Sequence, residues 1–197
     1  GAKVSDKIGV LKNLIPKMDR LLIGGGMAYT FLKAKGVEVG RSLIEEERVA
    51  LARDLINQAE SLGIPLFLPI DHIAAEETKK NPITVDGSIP PNLLGLDIGP
   101  KTISQFIQEI RKARMILWNG PVGLFEEEKF SQGTRSVARA LAEHDAISIV
   151  AGGDTVAAVM QAGVENKITH LSTGGGATLE FLEGKGLPGI LALEEKQ

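Results

Sequence analysis

The stretch Leu21-Leu22-Ile23-Gly24-Gly25-Gly26 joins a short apolar run to three glycines, and residues with helical spacing follow it. The same arrangement recurs from Ile147 to Gly153 and from Ile168 to Gly176. An apolar run, a glycine turn and a helical segment are typical of a buried strand that leads into a helix. The repeating unit of this chain is therefore strand, glycine turn, helix.

Further apolar runs and helical segments extend this alternation over most of the chain. The runs Pro65 to Pro69 and Met115 to Trp118 suit strands that are buried on both faces. Helical periodicity is found in Ser5 to Lys17, Met27 to Lys35, Glu45 to Leu62, Lys101 to Ala113, Ser131 to Glu143, and Thr155 to Gln161. This alternation predicts parallel strands that are joined by right-handed crossovers.

The predicted fold is a three-layer, doubly wound (Rossmann-like) α/β domain, with a mainly parallel β-sheet and helices on both faces. The segment Ala74 to Asn92 breaks the alternation, because it is rich in charge, proline and glycine and only Ile83 to Val85 resembles a strand. We interpret it as an excursion at the sheet edge. No internal boundary or repeat is evident, so residues 1–197 are interpreted as a single domain.

Composition excludes several classes of protein. The net charge of -3 and the absence of a long basic run argue against a nucleic-acid binder. No stretch approaches the roughly 20 apolar residues of a membrane helix. The chain has no cysteine, so disulfides and thiol nucleophiles are excluded. Because the sequence begins without methionine or an apolar signal core, we expect a soluble chain cut from a longer one.

The glycine turns predict where a ligand binds. In an open parallel sheet, ligands lie beyond the carboxyl ends of the strands, where all three glycine clusters would gather. Glycine lets backbone amides approach an anion, and the start of the following helix adds unpaired N–H groups. The pattern therefore favours a phosphate ligand, although each cluster alone could serve only as a tight turn.

Two common phosphate-binding fingerprints are not matched. Gly184-Lys185 would need a glycine at position 179 to form a P-loop, and that residue is leucine. A dinucleotide fingerprint would need a third glycine where Tyr29 and Leu179 stand. Hydride-transfer chemistry is thereby disfavoured.

Two groups of polar residues are candidates for phosphate chemistry. Asp154 and Thr155 follow Gly152-Gly153, where they could cap a helix or bind Mg²⁺ and phosphate oxygens of a nucleotide. Lys3 and Lys7 are four residues apart, so on a helix they would project from one side. They could face solvent or neutralise a phosphoryl group in transfer.

The segment from Trp118 to Glu126 is a candidate nucleoside site. It follows a predicted strand and combines a rigid turn, apolar side chains and a carboxylate. Glu126 would suit ribose hydroxyls, and Pro121 with Val122 would suit a base; alternatively, this is a loop before a helix with Glu126 in solvent. His72, His144 and His170 share no spacing with carboxylates and are interpreted as structural.

Six motifs, in order along the chain, resemble the C-terminal, nucleotide-binding half of phosphoglycerate kinase. They are Gly1-Ala2-Lys3-Val4-Ser5-Asp6-Lys7, Gly24-Gly25-Gly26-Met27-Ala28, Gly95-Leu96-Asp97-Ile98-Gly99-Pro100, Trp118-Asn119-Gly120-Pro121, Gly152-Gly153-Asp154-Thr155, and Ser172-Thr173-Gly174-Gly175-Gly176-Ala177. The N-terminal half of that two-domain enzyme is absent from these residues.

The resemblance implies reversible phosphoryl transfer between 1,3-bisphosphoglycerate and Mg-ADP in glycolysis, in the cytoplasm. By similarity, the catalytic groups are Lys3, Lys7 and the amides near Gly153 and Gly176, and Asp154 would hold Mg²⁺. The nucleotide would lie against Lys7, Gly24, Gly25, Gly26, Leu43, Gly95, Leu96, Asn119, Pro121, Val122, Leu124, Glu126, Gly152, Gly153, Asp154 and Thr155. The partners implied are ADP or ATP and the missing 3-phosphoglycerate-binding domain, with no nucleic acid or membrane.

Two departures from the family pattern stand out. Ala151 occupies a position where the family commonly has glycine, which places a methyl group beside the phosphate turn. The family's acceptor site, a basic patch with a catalytic arginine, is on the other domain, so this chain alone is expected to bind nucleotide without turnover. The alternatives are an NAD-dependent oxidoreductase domain and a noncatalytic module that senses adenine nucleotides.

Overall fold

A computed structural model describes residues 1–194. Within them the helices are α1 (Ile8–Leu14), α2 (Met27–Ala34), α3 (Val49–Ser61), α4 (Pro100–Ile110), α5 (Gln132–Glu143), α6 (Gly153–Gln161), α7 (Gly175–Leu182) and α8 (Pro188–Glu194). The strands are β1 (Leu21–Leu22), β2 (Leu66–Phe67), β3 (Asp71–Ala75), β4 (Ile83–Asp86), β5 (Leu94–Ile98), β6 (Met115–Asn119), β7 (Ile147–Ala151) and β8 (His170–Ser172). Strands and helices alternate as the sequence predicts, except that four strands follow one another from β2 to β5 and α8 follows α7 directly.

The parallel strands occur in two groups among residues 1–194. β1 pairs with β2, and β6, β7 and β8 pair in that order. In β1 and β2, Leu21 and Leu66 pack against a cluster built mainly by α1, α2 and α3, whereas Leu22 and Phe67 pack against one built mainly by α4, α5 and α6. Successive strand residues point to opposite faces, so helices cover both faces. The doubly wound α/β class is confirmed.

The predicted edge excursion, Ala74 to Asn92, is part of a sheet that extends beyond both of its ends. β3, β4 and β5 form an antiparallel sheet in the order β4-β3-β5. Only β4 lies where a strand was predicted, at Ile83 to Val85. β3 and β5 were missed because buried Asp71, His72 and Asp97 interrupt their apolar pattern.

Asp71 joins this antiparallel sheet to the helical layer. Its carboxylate accepts hydrogen bonds from the backbone N–H groups of Lys101 and Thr102, each at 2.8 Å, and from the Thr102 hydroxyl at 2.6 Å. These donors lie in the first turn of α4, whose N–H groups have no partner inside the helix. A strand side chain thus satisfies the start of a helix that is distant in sequence.

The periodicity predicted for α3 is confirmed with one adjustment. Ala52, Leu55, Ile56 and Ala59 are buried, while Val49 at the start of the helix is half-buried. No helix within residues 1–194 is both long enough and apolar enough to cross a bilayer.

Candidate functional site

The first glycine turn contacts the loop that follows β6. The Gly25 N–H donates to the carbonyl of Val122 at 3.0 Å, and the Gly1 nitrogen donates to the carbonyls of Gly24 and Pro121 at 3.2 and 2.9 Å. Gly25 has φ +75, and a Cβ there would lie 2.6 Å from the Gly1 oxygen and 2.7 Å from the Pro121 oxygen. Only glycine fits this close approach.

The same loop contacts the second glycine turn, which follows β7. The Asn119 amide donates to the carbonyl of Ala151 at 3.0 Å, and the Gly120 N–H donates to the hydroxyl of Thr155 at 2.7 Å. Lys7 Nζ donates to Asn119 Oδ1. Lys7 therefore reaches the junction of the two turns.

The third glycine turn adjoins the second. The Gly152 N–H donates to the carbonyl of Ser172 at 3.0 Å, and the hydroxyls of Ser172 and Thr178 share a hydrogen bond of 2.8 Å. Residues 24–26, 119–122, 151–155 and 172–176 thus form a continuous row, which we call the glycine rim. The three glycine clusters gather at the carboxyl ends of the parallel strands, as their placement in the sequence predicts.

Two helices begin at the glycine rim with open space before them. A Cβ built at Gly153 or Gly176 would meet nothing within 4 Å among the described residues. Neither α6 nor α7 has a side-chain cap in that part of the chain. The Gly175 N–H donates to the Thr173 carbonyl at 2.9 Å. The other N–H groups at the two helix starts, with the partial positive charge there, are available to an anion.

The structure does not support the capping interpretation of Asp154 and Thr155. Gly152, with φ +94, is the N-cap residue of α6, so Asp154 lies inside the first turn with its side chain exposed. Thr155 is 1% exposed, and its hydroxyl accepts from Gly120. Neither side chain caps the helix. Asp154 remains a candidate metal ligand, and Thr155 connects two turns of the rim.

The two lysines occupy different environments. The helix predicted from Ser5 begins only at Ile8, so Lys3 and Lys7 do not share a helix face; that expectation is wrong. Lys7 is half-buried, and burial lowers its pKa below the ordinary value, although the charge of Asp6 acts in the opposite direction. Lys3 is exposed in the extended segment before Val4.

Apolar candidate residues lie beside the first turn and along β5. A Cβ at Gly24 would lie 2.8 Å from Val122 Cβ, and one at Gly26 would lie 3.0 Å from Leu43 Cδ2. Leu43 is 53% exposed, which leaves its side chain available to a ligand.

The candidate residues of β5 have a different setting. The Leu124 N–H donates to the carbonyl of Leu96 at 2.8 Å. Gly95 packs so closely against Tyr29 that a Cβ at this position would clash with the tyrosine ring and hydroxyl. Glu126, two residues beyond Leu124, has an exposed side chain. The predicted nucleoside residues therefore border the rim on the β5 side.

Asp97 belongs to the motif Gly95 to Pro100, but the sequence analysis gives it no role. Its carboxylate accepts from the backbone N–H of Ile98 at 2.9 Å and from that of Gly133, at the start of α5, at 2.7 Å. Burial raises its pKa to about 7, although both amide hydrogen bonds act in the opposite direction. An aspartate inside an otherwise apolar strand is the signal that could have identified it.

Two of the three histidines have structural contacts, as interpreted from the sequence. Nε2 of buried His72 lies 3.2 Å from the carbonyl of Gly87, and Nε2 of His144 lies 2.7 Å from that of Ala113. His170 is exposed on β8. The described residues contain no group of three or more histidine, aspartate or glutamate side chains that could hold a metal ion by themselves.

Comparisons with known proteins agree with the motif resemblance at the level of the family. The sequence profile described as phosphoglycerate kinase matches residues 1–185. Phosphoglycerate kinases of Clostridium novyi (strain NT) and Koribacter versatilis (strain Ellin345) are 54% and 55% identical to this chain, each over 100% of it and 50% of the relative.

Solved structures agree with the sequence relatives. The phosphoglycerate kinase of Coxiella burnetii matches with a TM-score of 0.95 and 43% identity, over 100% of this chain and 51% of that protein. The enzyme from Pyrococcus horikoshii OT3 matches with a TM-score of 0.85 and 32% identity, over 98% of this chain and 50% of that protein. The chain spans about half the length of the relatives that it matches. On these matches of sequence and structure, the chain belongs to the phosphoglycerate kinase family.

Proposed function

We propose that this chain is the nucleotide-binding, C-terminal domain of a phosphoglycerate kinase, and that residues 1–197 form one such domain. The observation that carries the proposal is the glycine rim: three glycine turns, one loop and the Lys7 ammonium meet at one edge of the sheet. Backbone amides, two helix N-termini and a cation suit a polyphosphate.

The nucleoside of ADP or ATP would lie at the end of the rim next to β5. Gly24, Gly25, Gly26, Leu43, Gly95, Leu96, Pro121, Val122 and Leu124 would contact the adenine. Glu126 would accept hydrogen bonds from the ribose hydroxyls, because its side chain is exposed. The apolar side chains and the single carboxylate fit the usual composition of a small-molecule site.

The phosphates would lie at the opposite end, where α6 and α7 begin. Lys3, Lys7, Asn119 and Thr155 would lie near them, together with the amides at Gly152, Gly153 and Gly176. Clustered N–H groups and ammonium charge would stabilise the oxygens of a phosphoryl group during its transfer.

Asp154 fits a magnesium ion that is shared with a nucleotide. Its carboxylate is exposed in the first turn of α6, beside the proposed phosphate position. Mg²⁺ usually takes one or two protein carboxylates and completes its coordination with phosphates and waters. Bound there, the ion would neutralise charge on the nucleotide phosphates. Asp154 therefore fits a magnesium ion that is bound together with nucleotide phosphates.

The reaction of the whole enzyme would move a phosphoryl group from the acyl phosphate of 1,3-bisphosphoglycerate to the terminal oxygen of ADP, leaving a carboxylate and ATP. In that direction the donor, 1,3-bisphosphoglycerate, would bind to a second domain, since the chain spans half the length of its relatives. This chain alone would bind Mg-ADP or Mg-ATP and would not turn over. The fingerprint of a dinucleotide site is not matched, so the oxidoreductase alternative has less support.

Calorimetric titration tests the proposal directly. We expect Mg-ADP to bind the folded chain and NAD to bind more weakly, because the rim presents amides for a polyphosphate without a dinucleotide fingerprint. A folded sample that binds no Mg-ADP at millimolar nucleotide, or one that prefers NAD, would refute the assignment. Mixing with a separate N-terminal half should restore some turnover; inert mixtures of two binding-competent halves would contradict the division of labour.

A further inference from the structure

Glu45 makes a contact that the nucleotide-site residues do not explain. It lies between Leu43 and the 3-10 turn that precedes α3, and its Oε2 accepts hydrogen bonds from the backbone N–H groups of Val4 and Ser5, the latter at 3.2 Å. These two amides lie between Lys3 and Lys7. A carboxylate from one segment thus satisfies the turn that carries both candidate lysines.

The Glu45 backbone is itself held in place. Its N–H donates at 3.1 Å to the hydroxyl of Thr30, which is 1% exposed in α2. α2 begins directly after the first glycine turn, so Glu45 is anchored to the element that carries Gly24, Gly25 and Gly26. The carboxylate therefore connects two parts of the proposed site through one rigid helix.

The lysine-bearing turn is fixed at both ends. Val4 is fully buried in the cluster around α1, α2 and α3, and the Lys7 N–H donates to the Val4 carbonyl at 2.9 Å. Partial burial acts to raise the pKa of Glu45, but hydrogen bonds from Ser5 and Val4 and the charge of Arg48 outweigh it and hold the pKa below its ordinary value. The carboxylate is therefore ionised at neutral pH.

From this geometry we infer that Glu45 is a positioning residue: it holds the Lys3–Lys7 turn against the site and couples the Leu43 side of the nucleoside cleft to the phosphate end. This rests on the proposed nucleotide site. Because Oε2 occupies the Val4 and Ser5 amides, those amides are not free for phosphate, and the lysine side chains supply the interaction at this point. Hydrogen bonds to a charged acceptor are among the stronger ones in proteins.

Three variants of the 197-residue chain test the inference by titration with adenosine and with Mg-ADP. E45A should weaken Mg-ADP binding about tenfold and adenosine binding less than about threefold, since only the phosphate end depends on the lysines. E45Q keeps an acceptor oxygen and should stay within about threefold of the wild-type chain. E47A removes an equal charge from an exposed neighbour and should change neither affinity.

The ratio of the two affinities separates positioning from a purely structural role. Equal weakening of adenosine and Mg-ADP by E45A, or no weakening of either, would overturn the inference. Amide hydrogen exchange gives a readout that needs no nucleotide: in E45A, Val4 and Ser5 should exchange at least about tenfold faster. If the wild-type chain binds neither ligand, the proposed function fails. Unchanged amide exchange of Val4 and Ser5 in E45A would separately refute the inference that Glu45 holds the Lys3–Lys7 turn.

Discussion

Replacing Thr155 by valine should separate two turns of the glycine rim while preserving the shape of the side chain. The Thr155 hydroxyl accepts the Gly120 N–H at 2.7 Å; Thr155 is 1% exposed and Gly120 is half-buried, so the valine variant removes an acceptor that lies inside the protein. A buried donor left without a partner costs about 1–3 kcal/mol. The free energy of unfolding of T155V should fall by that amount.

The effect on nucleotide binding should follow from the same lost contact. Gly120 adjoins Asn119, which holds both Lys7 and the carbonyl of Ala151. With this junction loosened, Mg-ADP affinity should fall about tenfold, the equivalent of about 1.4 kcal/mol.

Urea denaturation and calorimetry measure the two effects separately, and T155S is the matched control. The serine variant keeps the hydroxyl and loses one buried methyl, so its stability should fall by about 1 kcal/mol while its Mg-ADP affinity stays near that of the wild-type chain. Wild-type stability and affinity in T155V would refute the role given to this hydrogen bond. Equal loss of affinity in T155S and T155V would attribute the effect to packing instead.

Three further perturbations probe the turns, the cation and the buried carboxylate. Gly25→Ala should lower the free energy of unfolding by about 2 kcal/mol or more beyond the loss caused by Gly36→Ala. Both residues have positive φ (+75 and +79), but only at Gly25 would a Cβ meet backbone oxygens. Equal losses of stability in urea denaturation of the two variants would contradict the close approach at Gly25. Lys7→Met should lower Mg-ADP affinity about tenfold or more, whereas Lys12→Met, on the exposed side of α1, should not. If calorimetry gives the two variants equal Mg-ADP affinities, Lys7 does not bind the phosphates. The pKa of Asp97 in the folded chain is about 7, against an ordinary value of 3.8. Its protonated form therefore contributes about 4 kcal/mol to the free energy of unfolding below pH 4, and this contribution is lost as the pH rises through 7. Asp97→Asn should remove that part of the pH dependence of stability, and an unchanged pH profile would refute the assignment.

Local patterns predicted those parts of the fold that depend on local physics. The amphipathic spacing of α3 predicted its buried face because each turn of a helix repeats the same exposure. The glycine clusters predicted the rim, since positive φ and close backbone approach, as at Gly25, restrict the residue type. Helix periodicity and positive φ are local constraints that the residue types record, whereas the oxygens of Gly1 and Pro121 that Gly25 approaches are distant in sequence.

Contacts between distant segments left no comparable trace. Asp71 and Asp97 interrupt the apolar patterns of β3 and β5, and the amides that satisfy them belong to α4 and α5. In the sequence, Glu45 is one of three consecutive glutamates. Its hydrogen-bond partners Val4 and Ser5 lie 41 and 40 residues away.

The sparse packing of α7 has a consequence for binding energetics. Within residues 1–194 no side chain of α7 is buried, and its end is held by a hydrogen bond from Asn13 to the Leu182 carbonyl at 2.8 Å. A helix with so few buried contacts detaches at low free energy. Part of the intrinsic affinity for a polyphosphate would then be consumed in ordering this helix, so a covalent staple between α1 and α7 would tighten binding without touching the ligand.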